Sequence, residues 1–119
     1  MTSAGLAALL FIAPAAAPHA GLYRIDQMEM AGGLELRPDG RFRYALEYGA
    51  VSEESEGDWT ANGATVLLTT DPMPPPAECN RGFASACFNR TPLTPDNGNL
   101  ILRRWDARIV FRPAQPRPR

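Results

Sequence analysis

The sequence predicts an all-β protein, an antiparallel meander of six to eight strands that forms a small barrel or a curled sheet. Residues 41–48 alternate Phe, Tyr and Leu with mostly charged side chains, the period of a strand with one buried face. Pro38-Asp39-Gly40 and Asn62-Gly63 are turn signals between such runs. Strand-like runs recur at intervals of roughly ten residues, as in small barrels.

The pairing of these runs follows from the turns. A turn near Ala50 and Val51 would place Phe42 opposite Trp59 and Tyr44 opposite Gly57, where the glycine leaves room for the tyrosine ring. Trp59 is then expected to be buried and central to the core. The strand-like runs are residues 21–26, 34–36, 41–48, 57–60, 64–70, 99–105 and 108–112, the last two forming a hairpin around Asp106-Ala107.

The intervening segments are expected to be loops. Residues 49–56 are acidic and are interpreted as a solvated hairpin loop. Residues 71–76 are rich in proline and end the meander, crossing one end of a barrel. Residues 78–98 show no sustained period and are predicted to form a long loop with one helical turn at residues 84–88.

Part of this pattern resembles a known class of domain. The residues concerned are Gly21, Tyr23, Leu34, Leu36, Pro38, Asp39, Gly40, Phe42, Gly57 and Trp59. Their order is similar to that of small lipocalin-like meander domains of bacterial envelope proteins, such as the amino-terminal domain of the copper-resistance lipoprotein family. The resemblance implies a lipocalin-like barrel. The Cys-x-x-Cys motif and the lipid-attachment cysteine of that family are absent, so no copper or lipoprotein role carries over.

The amino terminus has the pattern of an export signal. Residues 5–17 form a run rich in Ala and Leu that is too short to span a bilayer and suits the apolar region of a signal peptide. We therefore divide the chain into a signal peptide (residues 1–20), a single β-domain (21–112) and a disordered Pro/Arg tail (113–119). The predicted location is periplasmic or secreted, without a stable membrane span.

Charge is distributed unevenly along the chain. Residues 21–78 carry eleven acidic residues and four arginines, whereas residues 79–119 carry two acidic residues and eight arginines. With a net charge of −1 the chain has no global field that would attract nucleic acid, so we predict no nucleic-acid partner. The arginines of the last hairpin are interpreted as charges that protect an exposed edge strand; they are Arg103, Arg104, Arg108 and Arg112.

Few residues suit catalysis or metal binding. Cys79 and Cys87 have seven residues between them and are predicted to form a disulfide after export. His19 is the only histidine, which excludes a multi-histidine metal site and a histidine-based triad. Glu53, Glu54, Glu56 and Asp58 do not follow the ligand spacing of a calcium loop. We predict no catalytic residue, metal site or cofactor.

Two functions remain compatible with the sequence. The first is a non-enzymatic envelope protein that binds a small apolar molecule in a cup lined by Phe42, Tyr44, Tyr48 and Trp59. The second is a structural or protein-interaction module that uses an exposed strand edge or the Pro/Arg tail to contact an envelope protein. A ligand-sized cavity inside the barrel would favour the first.

Overall fold

The computed structural model describes residues 18–114, which form an eight-strand antiparallel barrel. Each strand pairs with the next along the chain, and the last pairs with the first. The predicted all-β fold is confirmed, at the upper end of the predicted strand number and with the barrel closed. The strands are β1 (Gly21–Gln27), β2 (Met30–Leu36), β3 (Arg41–Tyr48), β4 (Val51–Asn62), β5 (Thr65–Thr70), β6 (Thr91–Asp96), β7 (Asn99–Arg104) and β8 (Ala107–Pro113).

Closure leaves no free edge among the eight described strands. β1 pairs with β8 at residues 23–25, and the side chain of Gln27 continues the contact through hydrogen bonds with the backbone of Arg108 and Val110. The prediction that the carboxy-terminal hairpin contains an exposed edge strand is therefore wrong. β7 and β8 lie within the wall with a partner on each side, because closing the barrel pairs the groups that an edge would expose.

The β3–β4 register differs from the prediction by two residues. The turn is Gly49-Ala50, so Phe42 lies opposite Gly57 and Tyr44 lies opposite Ser55. A side chain at Gly57 would collide with the backbone carbonyl of Thr69 on β5. The glycine is required by this close approach of β5 and not by the tyrosine ring.

Two other turns are displaced by one residue from their predicted positions. Asn62 pairs with Thr65, so the β4–β5 turn is Gly63-Ala64, with Gly63 at φ 68°. The β7–β8 turn is Trp105-Asp106, and it holds Trp105 at φ 55°. The Pro38-Asp39-Gly40 turn lies where the sequence placed it, with the Gly40 amide bonded to the carbonyl of Arg37 at 3.0 Å.

The acidic segment 49–56 is a strand for most of its length, which corrects its interpretation as a loop. β4 begins at Val51, and its inward positions are the odd-numbered residues from Val51 to Trp59. The first residues of β4, around Ser52 and Glu54, pair with β3 on one side and with residues 82–86 on the other. These two partners satisfy the backbone of a stretch whose side chains alone predict solvent exposure.

Residues 71–90 leave the wall after β5 and then rejoin it. Residues 82–86 run beside β4, with the amides of Ser52 and Glu54 bonded to the carbonyls of Gly82 and Ala84 at 2.6 and 3.0 Å. Residues 84–88 are thus extended rather than helical, and the short helical turn of this region is a 3-10 turn at Pro76–Glu78. β6, which was predicted to be part of the loop, follows directly.

The barrel interior is filled by side chains from all eight strands. Phe88, from the segment that rejoins the wall, packs against Phe42 and Tyr44, with ring centroids 6.2 and 5.0 Å apart. Trp59 is buried as predicted, and its indole nitrogen donates to the carbonyl of Arg37 at 2.8 Å. The predicted disulfide between Cys79 and Cys87 is present and closes residues 79–87 into a small loop.

The predicted segments at the two termini lie almost entirely outside the described residues. The signal segment falls on residues 1–20, of which only 18–20 are described, and residues 115–119 of the tail are not described. β8 continues to Pro113, and the amide of Ala114 bonds to the carbonyl of Leu22 at 2.8 Å. Within residues 18–114, no helix has the length and apolar character needed to cross a membrane.

Candidate functional site

The four aromatic residues of the predicted cup lie at different depths. Phe42, Tyr44 and Trp59 are buried in the core, whereas Tyr48 is half-buried at the end of β3. Because Phe88 and Phe111 occupy the space between the strands next to Tyr44, side chains fill the barrel at this level. The structure thus brings three of the four residues together as core and leaves Tyr48 at the mouth of the barrel.

A buried ion pair links β4 and β7 below this mouth. Glu53 is 1 % exposed, and both of its carboxylate oxygens accept hydrogen bonds from Arg104, from Nε at 2.6 Å and from Nη2 at 2.7 Å. Tyr44 donates its hydroxyl proton to the same carboxylate at 2.7 Å. This bidentate geometry is the strongest arrangement available to an arginine and a carboxylate.

Arg104 has further partners that fix its position. Its Nη2 atom donates to the side-chain oxygen of Asn80 at 3.0 Å. Its guanidinium lies 5.5 Å from the ring centroid of Phe88 and 4.6 Å from that of Trp105. The Asn80 oxygen also accepts from the amide of Cys87, so the disulfide loop is connected to the ion pair. The charged pair therefore joins β3, β4, β7 and the segment that rejoins the wall.

The pKa values in this network are shifted by burial and by the partners. Burial raises the pKa of Tyr44, and the hydrogen bond to Glu53 raises it further, so the phenol stays neutral well above its ordinary range. Burial lowers the pKa of Arg104, but the hydrogen bonds and attraction of Glu53 outweigh it and the net shift is upward. The guanidinium therefore keeps its charge at neutral and moderately alkaline pH.

A cavity of about 370 Å³, open to solvent over much of its surface, lies at the mouth on the solvent side of this network. Tyr48 and Val51 line it from the β3–β4 hairpin. Trp105, Asp106 and Ala107 line it from the β7–β8 hairpin. Trp105 is 49 % exposed, and the largely buried guanidinium of Arg104 lies over its indole ring. The site combines an aromatic and aliphatic lining with one carboxylate at its rim, a composition typical of small-molecule sites.

The other acidic residues singled out in the sequence do not converge. Glu54, Glu56 and Asp58 face outward from β4, opposite in direction to Glu53. Asp58 binds Arg41 at 3.1 Å, and Glu47 on β3 accepts a hydrogen bond from Ser52. Among residues 18–114, no group of three or more His, Cys, Asp or Glu side chains is placed to hold a metal ion.

The arginines of the carboxy-terminal hairpin and His19 do not come together in one site either. Arg103 is exposed and Arg104 is turned inward, since successive residues of a strand face opposite sides. Arg108 binds Asp96 at 2.9 Å, and Arg112 is exposed on β8. His19 is 3.4 Å from the carbonyl of Gly63 at the surface.

Sequence reasoning missed the pair of Glu53 and Arg104, although a signal for it exists. Counting back from Trp59 in steps of two reaches Gly57, Ser55 and Glu53, which places Glu53 on the inward face. The same count along Leu100, Leu102 and Arg104 places Arg104 inward. An acid and a base that interrupt two inward faces are expected to pair, because a buried charge without a partner is costly.

Comparison with protein-family models, with curated proteins and with solved structures found no match to this chain.

Proposed function

We propose that the protein is an exported, non-enzymatic binding protein that holds a small apolar or amphiphilic molecule at the mouth of its barrel. The observation that carries this proposal is the cavity of about 370 Å³ between Tyr48, Val51, Trp105 and Ala107. Its volume lies within the range of roughly 300–1,000 Å³ found for small-molecule sites. An aromatic ring of the ligand would contact Tyr48 and the exposed face of Trp105.

The buried network supports a rigid site at this position. Trp105 is held against Arg104, which Glu53 and Asn80 fix in turn. A side chain that is already ordered loses little freedom on binding, so it contributes more to affinity. Both oxygens of Glu53 are occupied by Arg104 and Tyr44, which favours a structural role for this carboxylate over acid–base catalysis.

Export is supported by the disulfide between Cys79 and Cys87 and by the signal-like segment at residues 1–20. Disulfides persist in oxidising compartments such as the periplasm. The resemblance to lipocalin-like envelope domains extends the proposal to a binding role, but because side chains fill the interior of this barrel the ligand is placed at its mouth. This extension rests on analogy of fold, whereas the mouth cavity is a feature of this chain.

The proposal is tested by titration with 1-anilinonaphthalene-8-sulfonate, an aromatic probe whose fluorescence rises in apolar sites. Wild type should bind the probe saturably, and Trp105→Ala and Val51→Glu should each weaken binding by at least tenfold. Leu22→Ala is the control, because Leu22 is 60 % exposed and lies on the outer wall away from the mouth. Near-ultraviolet circular dichroism of each variant ensures that the probe is not reporting on loosened packing.

Equal affinity in all four proteins would refute a site at the mouth. Loss of binding in Leu22→Ala alone would place the site on the outer wall and would equally contradict the proposal.

A further inference from the structure

The cavity at the mouth of the barrel has two chemically different walls. Trp105, Asp106 and Ala107 form one wall, at the turn of the β7–β8 hairpin. Tyr48 and Val51 form the other, at the turn of the β3–β4 hairpin. Of the described residues that line the cavity, Asp106 alone is charged. One wall is therefore aromatic and anionic, whereas the other is mainly apolar.

The carboxylate of Asp106 is not neutralised by any cation among residues 18–114. It makes no ion pair within 4 Å with a residue of this range. Arg103 faces the outer side of the wall, and Arg108 is engaged in an ion pair of its own. Arg104 gives two short hydrogen bonds to Glu53 and is neutralised by it. The mouth therefore presents a negative charge that a cationic ligand would compensate.

Trp105 supplies an aromatic face that suits a cation. The guanidinium of Arg104 lies 4.6 Å from the ring centroid, so the ring is already in cation–π contact with one positive group. The rest of the half-exposed ring is open to the cavity beside Asp106. A quaternary ammonium group binds to aromatic ring faces without needing a hydrogen bond, and a neighbouring carboxylate adds Coulomb attraction. Because Glu53 neutralises Arg104, the buried pair repels a second cation only weakly.

The apolar wall continues beyond the cavity onto the segment that runs beside β4. Gly82 lies next to Val51, since a Cβ atom added to Gly82 would be 3.8 Å from a methyl group of Val51. The following residue, Phe83, is 69 % exposed. Exposed apolar surface of this kind is typical of sites that contact an apolar group of a ligand or partner. Val51 and Phe83 therefore offer apolar contact to a ligand that extends out of the cavity.

We infer that the molecule bound at the mouth is a cationic amphiphile with a quaternary ammonium head group, an inference that rests on the proposed function of this site. The head group contacts the ring of Trp105 and the carboxylate of Asp106. The hydrocarbon chain crosses the cavity to Val51 and continues over Phe83. An anionic head group would be repelled by the carboxylate and a neutral one would gain nothing from it, so charge selects this class of ligand.

The test is isothermal titration calorimetry of the full chain with octyltrimethylammonium, 1-octanol and octyl sulfate, which share one hydrocarbon chain and differ in the charge of the head group. Each is used as a monomer, below the concentration at which it forms micelles. Wild type should bind the ammonium compound at least about tenfold more tightly than the sulfate, with octanol between them. Asp106→Asn, which removes the charge and keeps the shape, should reduce this ratio to about threefold or less. Raising the ionic strength should also reduce it in wild type, because exposed charges are screened by salt.

Further variants locate the two ends of the ligand. Phe83→Ser should weaken the binding of octyltrimethylammonium by about threefold or more and leave that of its butyl homologue unchanged, since only the longer chain reaches Phe83. Asp106→Asn should tighten the binding of the anionic probe 1-anilinonaphthalene-8-sulfonate. Glu56→Gln is the control for net charge, because it removes one negative charge from the outer face of β4, outside the mouth, and should keep the wild-type ratio.

The outcomes separate this inference from the proposed function. Equal affinities for the three compounds, tightest binding of the sulfate, or a ratio that Asp106→Asn leaves unchanged would overturn the inference and leave a site at the mouth. An unchanged octyl affinity in Phe83→Ser would overturn the placement of the chain. Failure of all three compounds to bind would contradict the proposed function as well.

The natural source of the head group is a free amphiphile or a lipid, and sedimentation with phosphatidylcholine vesicles distinguishes the two. Protein that sediments with the vesicles, and does so less as Asp106→Asn, takes the head group from a bilayer. Protein that stays in solution but binds monomeric octyltrimethylammonium takes a free amphiphile. Either result supports a quaternary ammonium ligand.

Discussion

Replacing Arg104 by methionine should strongly destabilise the protein, because the change leaves the carboxylate of Glu53 buried without its partner. Glu53 is 1 % exposed and loses two short hydrogen bonds, at 2.6 and 2.7 Å. Removing one partner of a buried pair costs about 3–5 kcal/mol. A domain of this size has a total stability of about 5–10 kcal/mol, so between about a third and all of it would be lost.

Urea unfolding at neutral pH measures this loss. A barrel of this size is expected to have an m value near 1.5 kcal/mol/M, so the midpoint should fall by about 2–3 M. Arg103→Met is the matched control, since Arg103 is the adjacent residue, faces solvent and makes no ion pair among residues 18–114. Its free energy of unfolding should change by less than about 0.5 kcal/mol.

The double variant Glu53→Leu/Arg104→Met separates the charge effect from loss of packing. Removing both charges should restore much of the stability lost in Arg104→Met, because apolar replacements of buried pairs are often close to neutral. Equal midpoints for Arg103→Met and Arg104→Met would show that buried Glu53 does not depend on Arg104 as its partner. A double variant no more stable than Arg104→Met would show that the cost arises from packing and not from an unpaired charge.

Two further predictions concern the core. Trp59→Ala should cost about 3–5 kcal/mol, whereas Trp105→Ala, which removes a half-exposed ring, should cost about 1 kcal/mol; the reverse order in urea unfolding would show that the core is centred on the β7–β8 hairpin. Tyr44→Phe should be less stable than wild type at neutral pH by about 1–2 kcal/mol, because it loses the hydrogen bond to Glu53. This difference in the free energy of unfolding should become smaller above pH 10. The sign follows from the raised pKa of Tyr44, because only the unfolded chain then ionises this residue and alkaline pH favours unfolding in wild type; a gap that stays constant up to pH 11 would contradict it.

The local pattern of the sequence was sufficient to predict the meander. Alternation in residues 41–48 and the turn signals at Pro38–Gly40 depend on neighbours in the chain, and both elements are present in the structure. The buried position of Trp59 follows from the same alternation. These features are local because a strand with one buried face imposes a period of two on its own residues.

Features that depend on distant partners were not predicted. Glu53 and Arg104 are 51 residues apart, so no short stretch of sequence contains both. The charges around Glu53 are typical of a solvated loop, and only the distant partners β3 and residues 82–86, which flank it, make this stretch a strand. β6 contains Pro92 and Pro95. Proline has no backbone N–H to donate to a neighbouring strand, so two prolines in six residues argue against a strand in the sequence. Its place in the wall depends on pairing with β5 and β7, which no short window of sequence reveals.

Native mass spectrometry of the protein purified from its own host would detect a ligand bound at the mouth of the barrel. We expect wild type to carry one small molecule per chain. Leu22→Ala should retain it, whereas Trp105→Ala and Val51→Glu, which both alter the lining of the mouth, should lose it. A bare polypeptide under conditions that preserve the disulfide, or a bound mass that both mouth variants keep, would contradict it.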